Sequence, residues 1–377
     1  MSRNLLPLSV TAVLMGGTAL ADVPNVAVDI APVHSLVARV MDGVGTPSLI
    51  VQQGASPHGY SLRPSEAAAL QDADLVFWIG EDLTPWMEGA VETLAEDAAV
   101  TTLLEADGTT LLDFREGALF EAHDHGDHEG HEDHDHDDHA EAEEASHDDH
   151  DHDDHDHDHD HDHDHDDDHA EAEDAAHDDH DHDHDHGDDH AHDDHDHDHD
   201  DHAGHDHGEH DPHAWLSPQN AGVWLNVIAG QLSAADPDNA GTYFANAAAA
   251  REEMEALSAE IAATLEPLRG GSFIVFHDAY QYFEADFDFP AAGAISLSDA
   301  SDPSPARIAE IQGRIQAEGV DCVLSEPQFN PGLVATVLDG TEAKTSVIDP
   351  LGAELEPGPA LYPKLLRNMA ATFAECL

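Results

Sequence analysis

Apolar residues along the first hundred positions fall into short runs separated by segments of helical spacing. VPNVAVDI (23–30), SLIVQ (48–52), LVFWIG (75–80) and VTTLLEA (100–106) read as strands. HSLVARVMDG (34–43), PSEAAALQDA (64–73) and TPWMEGAVETLAE (84–96) lie between them and read as helices, the second opening on Pro then Ser. Strands that are continuously apolar and alternate with helices predict βαβ units around a buried parallel sheet. The same pattern returns late in the chain. FIVFH (273–277), AAGAISL (291–297), CVLSE (322–326) and TSVID (345–349) read as strands, with helices over 304–319, after Asn330-Pro331 and at the C terminus. Between the two series, 217–235 reads as an amphipathic helix and 240–268 as a long Ala- and Glu-rich one, a rod of about 40 Å at 1.5 Å per residue. The predicted fold class is α/β: two lobes, each a small parallel sheet of about four strands with flanking helices, tied by one long rigid helix.

The pattern fails over 122–211, where the chain is His, Asp, Glu, Ala and Gly with no larger apolar residue before Pro212. Such a segment cannot offset the entropy of ordering itself, so a disordered loop is expected. A near-repeat, HAEAEEASHDDHDHD at 139–153 and HAEAEDAAHDDHDHD at 169–183, has no apolar face to stack and reads as duplication within low-complexity sequence. The N terminus is a separate case. A basic start at Arg3, an apolar run and Ala19-Leu20-Ala21 before Asp22 read as a secretory signal peptide over 1–21, cleaved after Ala21. The expected organisation is therefore a signal peptide (1–21), an N-terminal lobe (22–121 and 212–236) interrupted by the loop (122–211), a linking helix (237–268) and a C-terminal lobe (269–377). A soluble mature protein, in a periplasm or outside the cell, is expected, as a monomer.

The formal net charge is −72. A chain this acidic repels nucleic acid and anionic membrane and concentrates cations. Two cysteines, Cys322 and Cys376, read as one disulfide in an oxidising compartment; two thiol metal ligands are the alternative.

Only four of the 35 histidines lie outside the tract: His34, His58, His213 and His277. His277 ends a predicted strand, His58 lies in a loop after one, and His213 stands where the tract meets a helix. Ligands of open α/β sheets gather outside the carboxyl ends of strands, so these three could enclose one ion from two sides. Three imidazoles suit zinc, copper or nickel rather than calcium or magnesium. The competing reading is three separate polar loop residues. Asp349, at a strand end, is a fourth candidate ligand or the cap of the next turn. His34, Glu81 and Glu326 are candidates for hydrogen-bonding roles behind the ligands. Asp278 and Glu284, in HDAYQYFE, do not have the spacing of a metalloprotease helix, which argues against a zinc hydrolase.

The segments GASPHGYSLRPSEAAALQDADLVFWIG, DPHAWLSPQNA, FHDAYQYFE, SEPQF and IDPLG together resemble the periplasmic zinc-binding proteins of ABC importers, the ZnuA type, over both lobes and in the family's order. The resemblance implies a zinc ion held between the lobes by His58, His213 and His277, with Asp349 or water completing the set. It implies delivery to an inner-membrane ABC permease, with periplasmic zinc chaperones as further candidate partners, and no enzymatic activity. A histidine at the place of His277 resembles the zinc-type members, and the cysteine pair resembles a disulfide found in some of them. Some zinc-type members have Glu just before the first histidine; here that residue is Pro57, which cannot ligate.

The tract then gains a meaning. HDHDHDHDHDHD at 155–166 sets His155, His157, His159, His161, His163 and His165 at every second position beside carboxylates. Neutral imidazole with carboxylate is a serviceable zinc ligand set. A flexible chain loses entropy at each site it forms, so many weak sites are expected: an auxiliary collector of zinc. The alternative is a storage or buffering protein in which the tract is the main device.

Overall fold

The computed structural model describes residues 23–115, 210–296, 303–329 and 331–377. The signal peptide read at 1–21 and the tract histidines, His155 to His165 among them, lie outside the described residues.

Eight strands and nine helices follow in chain order among the described residues. The first lobe holds β1 (Val26–Val28), α1 (Ala31–Val40), β2 (Ser48–Leu49), α2 (Pro64–Gln71), β3 (Leu75–Trp78), α3 (Pro85–Leu94), β4 (Ala99–Thr102) and α4 (Pro218–Ala235). Then come the linking helix α5 (Ala240–Leu265) and the second lobe: β5 (Phe273–His277), α6 (Gln281–Phe287), β6 (Gly293–Ser296), α7 (Pro305–Glu318), β7 (Cys322–Ser325), α8 (Pro331–Leu338), β8 (Lys344–Val347) and α9 (Leu361–Cys376). Both sheets are parallel and share one topology, with orders β2-β1-β3-β4 and β6-β5-β7-β8. In each, the first and third strands of the lobe lie side by side at the centre. Connections leave in opposite directions there and open a crevice at the strands' carboxyl ends.

The period-2 alternation of each strand divides its side chains between two cores. Val26, Val28, Leu75 and Phe77 point inward, as do Phe273 and Val275 in the second lobe. Ala27, Val76 and Trp78 meet α2 and α3 on one outer face; Ile274, Phe276 and Val323 meet α7 and α8 on the other. The inner faces do not form two cores. They join α1, α4, α5 and α9 in one continuous apolar cluster from Val26 to Cys376.

Helix α5 has 26 residues and buries Tyr243, Ala247, Ala250, Met254, Leu257, Ile261 and Leu265, a stripe repeating every three or four positions. Arg39 of α1 pairs with Glu253 at 2.8 Å, and Arg367 of α9 pairs with Glu260 at 2.9 Å. Each lobe is thus bolted to the same rod. Cys322 of β7 and Cys376 at the end of α9 form a disulfide, with no free cysteine left among the described residues. α4 is capped by Ser217, whose hydroxyl accepts from the Asn220 amide at 3.0 Å, with Pro218 in the first turn.

Three differences from the sequence reading bear on the site. With Pro32 in its first turn, α1 starts at Ala31, three residues before the helix read at 34–43, so His34 lies within the helix rather than at its start. Helix α6 follows His277 after one tight turn. And the two residues that composition assigns to the end of the tract are structured. His210 forms an antiparallel bridge with Asp113, and the buried Asp211 donates its amide to the Leu112 carbonyl at 2.8 Å.

Candidate metal centre

His277 is the last residue of β5, the central strand of the second sheet, and is buried. Its Nδ1 lies 2.6 Å from Oε1 of Glu326, which follows the neighbouring β7 and is also buried. The other oxygen of Glu326 accepts from Gln328 at 2.7 Å. The crevice of the second sheet therefore holds an imidazole with its carboxylate.

His213 comes from the short segment between the bridge at His210 and a 3-10 turn, Ala214–Leu216. Oδ1 of Asp211 accepts from the His213 amide at 2.9 Å and stands 2.7 Å from its Nδ1. That two-residue turn fixes both the backbone and the ring. Burial pushes the Asp211 carboxyl up to about 7, against the pull of the His213 amide and of the Arg115 charge.

A carboxylate beside each Nδ1 favours the proton there, which turns each Nε2 lone pair outward. The two Nε2 atoms face one another at 3.4 Å. Two lone pairs at that distance repel unless a proton or a cation lies between them. Zinc–nitrogen bonds of about 2.0–2.1 Å in tetrahedral geometry give an N···N edge of about 3.3–3.4 Å. The separation fits that edge.

His58 stands beside them, its ring centroid 5.5 Å from that of His213, which in turn lies 5.2 Å from His277. The loop carrying His58 is held from below: Trp86 of α3 donates to the Pro57 carbonyl at 2.7 Å, and the Tyr60 ring packs 5.6 Å from Trp86. Gln53 reaches across to the Gly352 carbonyl at 2.8 Å, and Trp215 donates to the Pro350 carbonyl at 2.8 Å, so both histidine-bearing segments of the first lobe touch the loop after β8. The three imidazoles are side by side and partly or fully buried, with two at coordinating separation. Among the described residues, no three or more His, Cys, Asp or Glu side chains form a finished coordination cage.

The remaining candidates fall differently. Asp349 caps the turn that follows it: its oxygens accept from the amides of Leu351 at 3.0 Å, Gly352 at 2.8 Å and Ala353 at 2.6 Å. His34 is buried with its Nε2 3.1 Å from the Pro47 carbonyl, and burial lowers its pKa. Glu81 is exposed. Glu326 alone of the three supporting candidates meets an imidazole of the trio. Asp211 was not among the candidates, although its Asp-x-His spacing is a recognisable signal for a carboxylate turning back on a ring.

Sequence comparisons show the family, and a structural comparison shows the fold. The model described as "ZnuA: Zinc-uptake complex component A periplasmic" matches residues 26–376. The chain is 43% identical over 363 residues to the high-affinity zinc uptake system protein ZnuA of Brucella abortus (strain 2308), covering 96% of this chain and 94% of that one. It is 40% identical over 372 residues to the protein of the same name from Paracoccus denitrificans (strain Pd 1222), covering 98% and 97%. A crystal structure of ZnuA superposes with a TM-score of 0.63 at 20% identity, over 94% of this chain and 99% of that one. The chain belongs to the ZnuA family of periplasmic zinc-uptake components.

Proposed function

We propose that this protein captures one zinc ion between its lobes and delivers it to the permease of an ABC importer, with His58, His213 and His277 as ligands. The observation that carries the reading is the pair of Nε2 atoms at 3.4 Å, each on a ring whose Nδ1 meets a buried carboxylate. Such carboxylate partners orient the ring and raise its basicity. Asp349 or water completes the set. Export by the segment 1–21, cleavage after Ala21 and a monomeric periplasmic state belong to the same proposal. No helix among the described residues is long and apolar enough to cross a membrane.

Binding and release, rather than hydrolysis, fit the surroundings. Asp278 and Glu284, the carboxylates that follow His277, are both taken up by Arg115 and are not placed as a general base. In the same proposal the tract over 122–211, with His155, His157, His159, His161, His163 and His165, collects zinc at weak, exchangeable sites. A storage protein is the second reading, favoured by the 35 histidines of the chain.

Zinc titration by calorimetry, with a competing chelator, tests both. The full chain is expected to show one tight site and several weak ones. Removing 122–209, which spares the His210–Asp113 bridge, should leave the tight site alone. Loss of the tight site on that deletion supports storage; its persistence in a variant with all three histidines replaced by alanine refutes the ligand set.

A further inference from the structure

Between Arg63 and Arg251 the sequence contains a single Lys or Arg, Arg115. It is half-buried between two carboxylates of the other lobe. Nε donates to Asp278 at 3.0 Å and Nη2 donates to the other oxygen of the same carboxylate. Nη1 and Nη2 donate to Glu284 at 2.7 and 3.1 Å. Asp278 directly follows His277, and Glu284 lies in α6, where it also accepts from the Ala291 amide at 3.1 Å.

The same helix grips both arms of the bridge. The Tyr282 hydroxyl accepts from the Leu112 amide at 3.0 Å and donates to the Asp211 carbonyl at 2.8 Å. Gln281 donates to the Asp113 carbonyl at 3.2 Å. Asp211 is the residue whose carboxylate holds His213. The first-lobe peptide that orients His213 and the second-lobe peptide that carries His277 are therefore fastened to one another through α6, with the Arg115 guanidinium supplying positive charge to the fastening.

We propose that Arg115 is a positioning residue for zinc retention: its paired bonds to Asp278 and Glu284 hold the His213 and His277 segments at ligand separation and so set how slowly zinc leaves. It touches no zinc itself. Removing the guanidinium leaves two buried carboxylates facing each other, and α6 must shift to relieve them. The shift loosens both ligand-bearing peptides together. Lysine would restore the charge without the fork and so restore only part of the geometry.

The inference rests on the reading of the three histidines as ligands, so the test separates the two. Zinc dissociation is followed by stopped flow into excess chelator for wild type, Arg115→Met, Arg115→Lys, Glu284→Gln and His277→Ala. Association rates and the visible spectrum of the cobalt(II) form are recorded alongside. Arg115→Met is expected to release zinc roughly 10- to 100-fold faster, with association changed little, and to shift the cobalt spectrum. Arg115→Lys should lie between it and wild type. A lower melting temperature with wild-type release and spectrum would make Arg115 merely structural and overturn the proposal. Should Arg115→Met fail to fold, Glu284→Gln decides: faster release supports the role, and unchanged release overturns it. Loss of tight zinc in His277→Ala beside wild-type release in Arg115→Met removes the positioning role alone. Tight zinc surviving in His277→Ala removes the site and the role together.

Discussion

The two sheets have the same strand order and the same crevice, yet they fill it in opposite ways. In the second lobe the two central strands deliver an imidazole and a carboxylate to each other, His277 at the end of β5 and Glu326 after β7. In the first lobe the residue after β1 is Asp29, fully buried, and its oxygens accept from the amides of Ile30 and Ile79, both at 2.7 Å. There the carboxylate closes the crevice by binding backbone at the ends of both central strands. The first lobe supplies its imidazoles from elsewhere: His58 from the loop after the edge strand β2, and His213 from the segment that returns after the tract. Topology offers a binding crevice twice. Whether it is opened depends on what the local carboxylate holds, an amide or an imidazole.

That contrast can be broken most severely at His277. Replacing it with alanine should weaken zinc binding by well over the roughly 10- to 100-fold typical of supporting residues, by chelator competition, while the zinc-free protein still unfolds cooperatively, at a somewhat lower melting temperature because Glu326 loses its buried partner. The covalent tie belongs to the second lobe alone. Replacing Cys322 and Cys376 together by serine should lower stability in urea by about 4 kcal/mol, the chain-entropy value for their separation of 54 residues, with zinc affinity retained.

Asp29 should contrast with His277, with an effect on stability and none on zinc. Burial raises its pKa to about 7, against hydrogen bonds from Ile79 and Ile30 that lower it. The folded state therefore holds a proton that the unfolded chain gives up near pH 4. The stabilisation is complete below that pH and is lost as the pH rises to about 7 and beyond. Asp29→Asn should flatten this part of the stability profile of the zinc-free protein, measured by denaturant melts from pH 4 to 8, and leave zinc titrations unchanged. The smallest effect is expected for Glu326→Gln. The amide oxygen still accepts from His277 but without charge, and zinc affinity should fall about tenfold.

Much of this was legible in the residues. FIVFH ends on a histidine and is apolar before it, so the strand and its terminal imidazole could be read together. Alternating apolar runs gave four strands to each lobe. The Ala- and Glu-rich composition of α5 gave the rod. What escaped was set by tertiary contact. QYFEADF is too short to show helical periodicity, and α6 forms because Tyr282, Phe283, Glu284 and Phe287 are buried against its neighbours. Asp211 belongs by composition to the tract, and only its bridge to the Leu112 segment makes it structural. His34 reads as a candidate hydrogen-bonding partner behind the imidazoles, but in α1 its ring meets the Pro47 carbonyl instead. Arg115 carried a signal that charge counting alone reveals: a lone cation in a long acidic stretch, for which burial against carboxylates is a natural end.

The apolar cluster that runs unbroken from Val26 to Cys376 has a consequence for how this protein could be divided. A fragment ending at Asp236 would leave the inward sides of α1 and α4 without the helix they pack on, and one starting at Pro237 would strip α5 and α9 in the same way. The halves look modular in topology but share an interior, so the smallest piece that keeps its shape contains both.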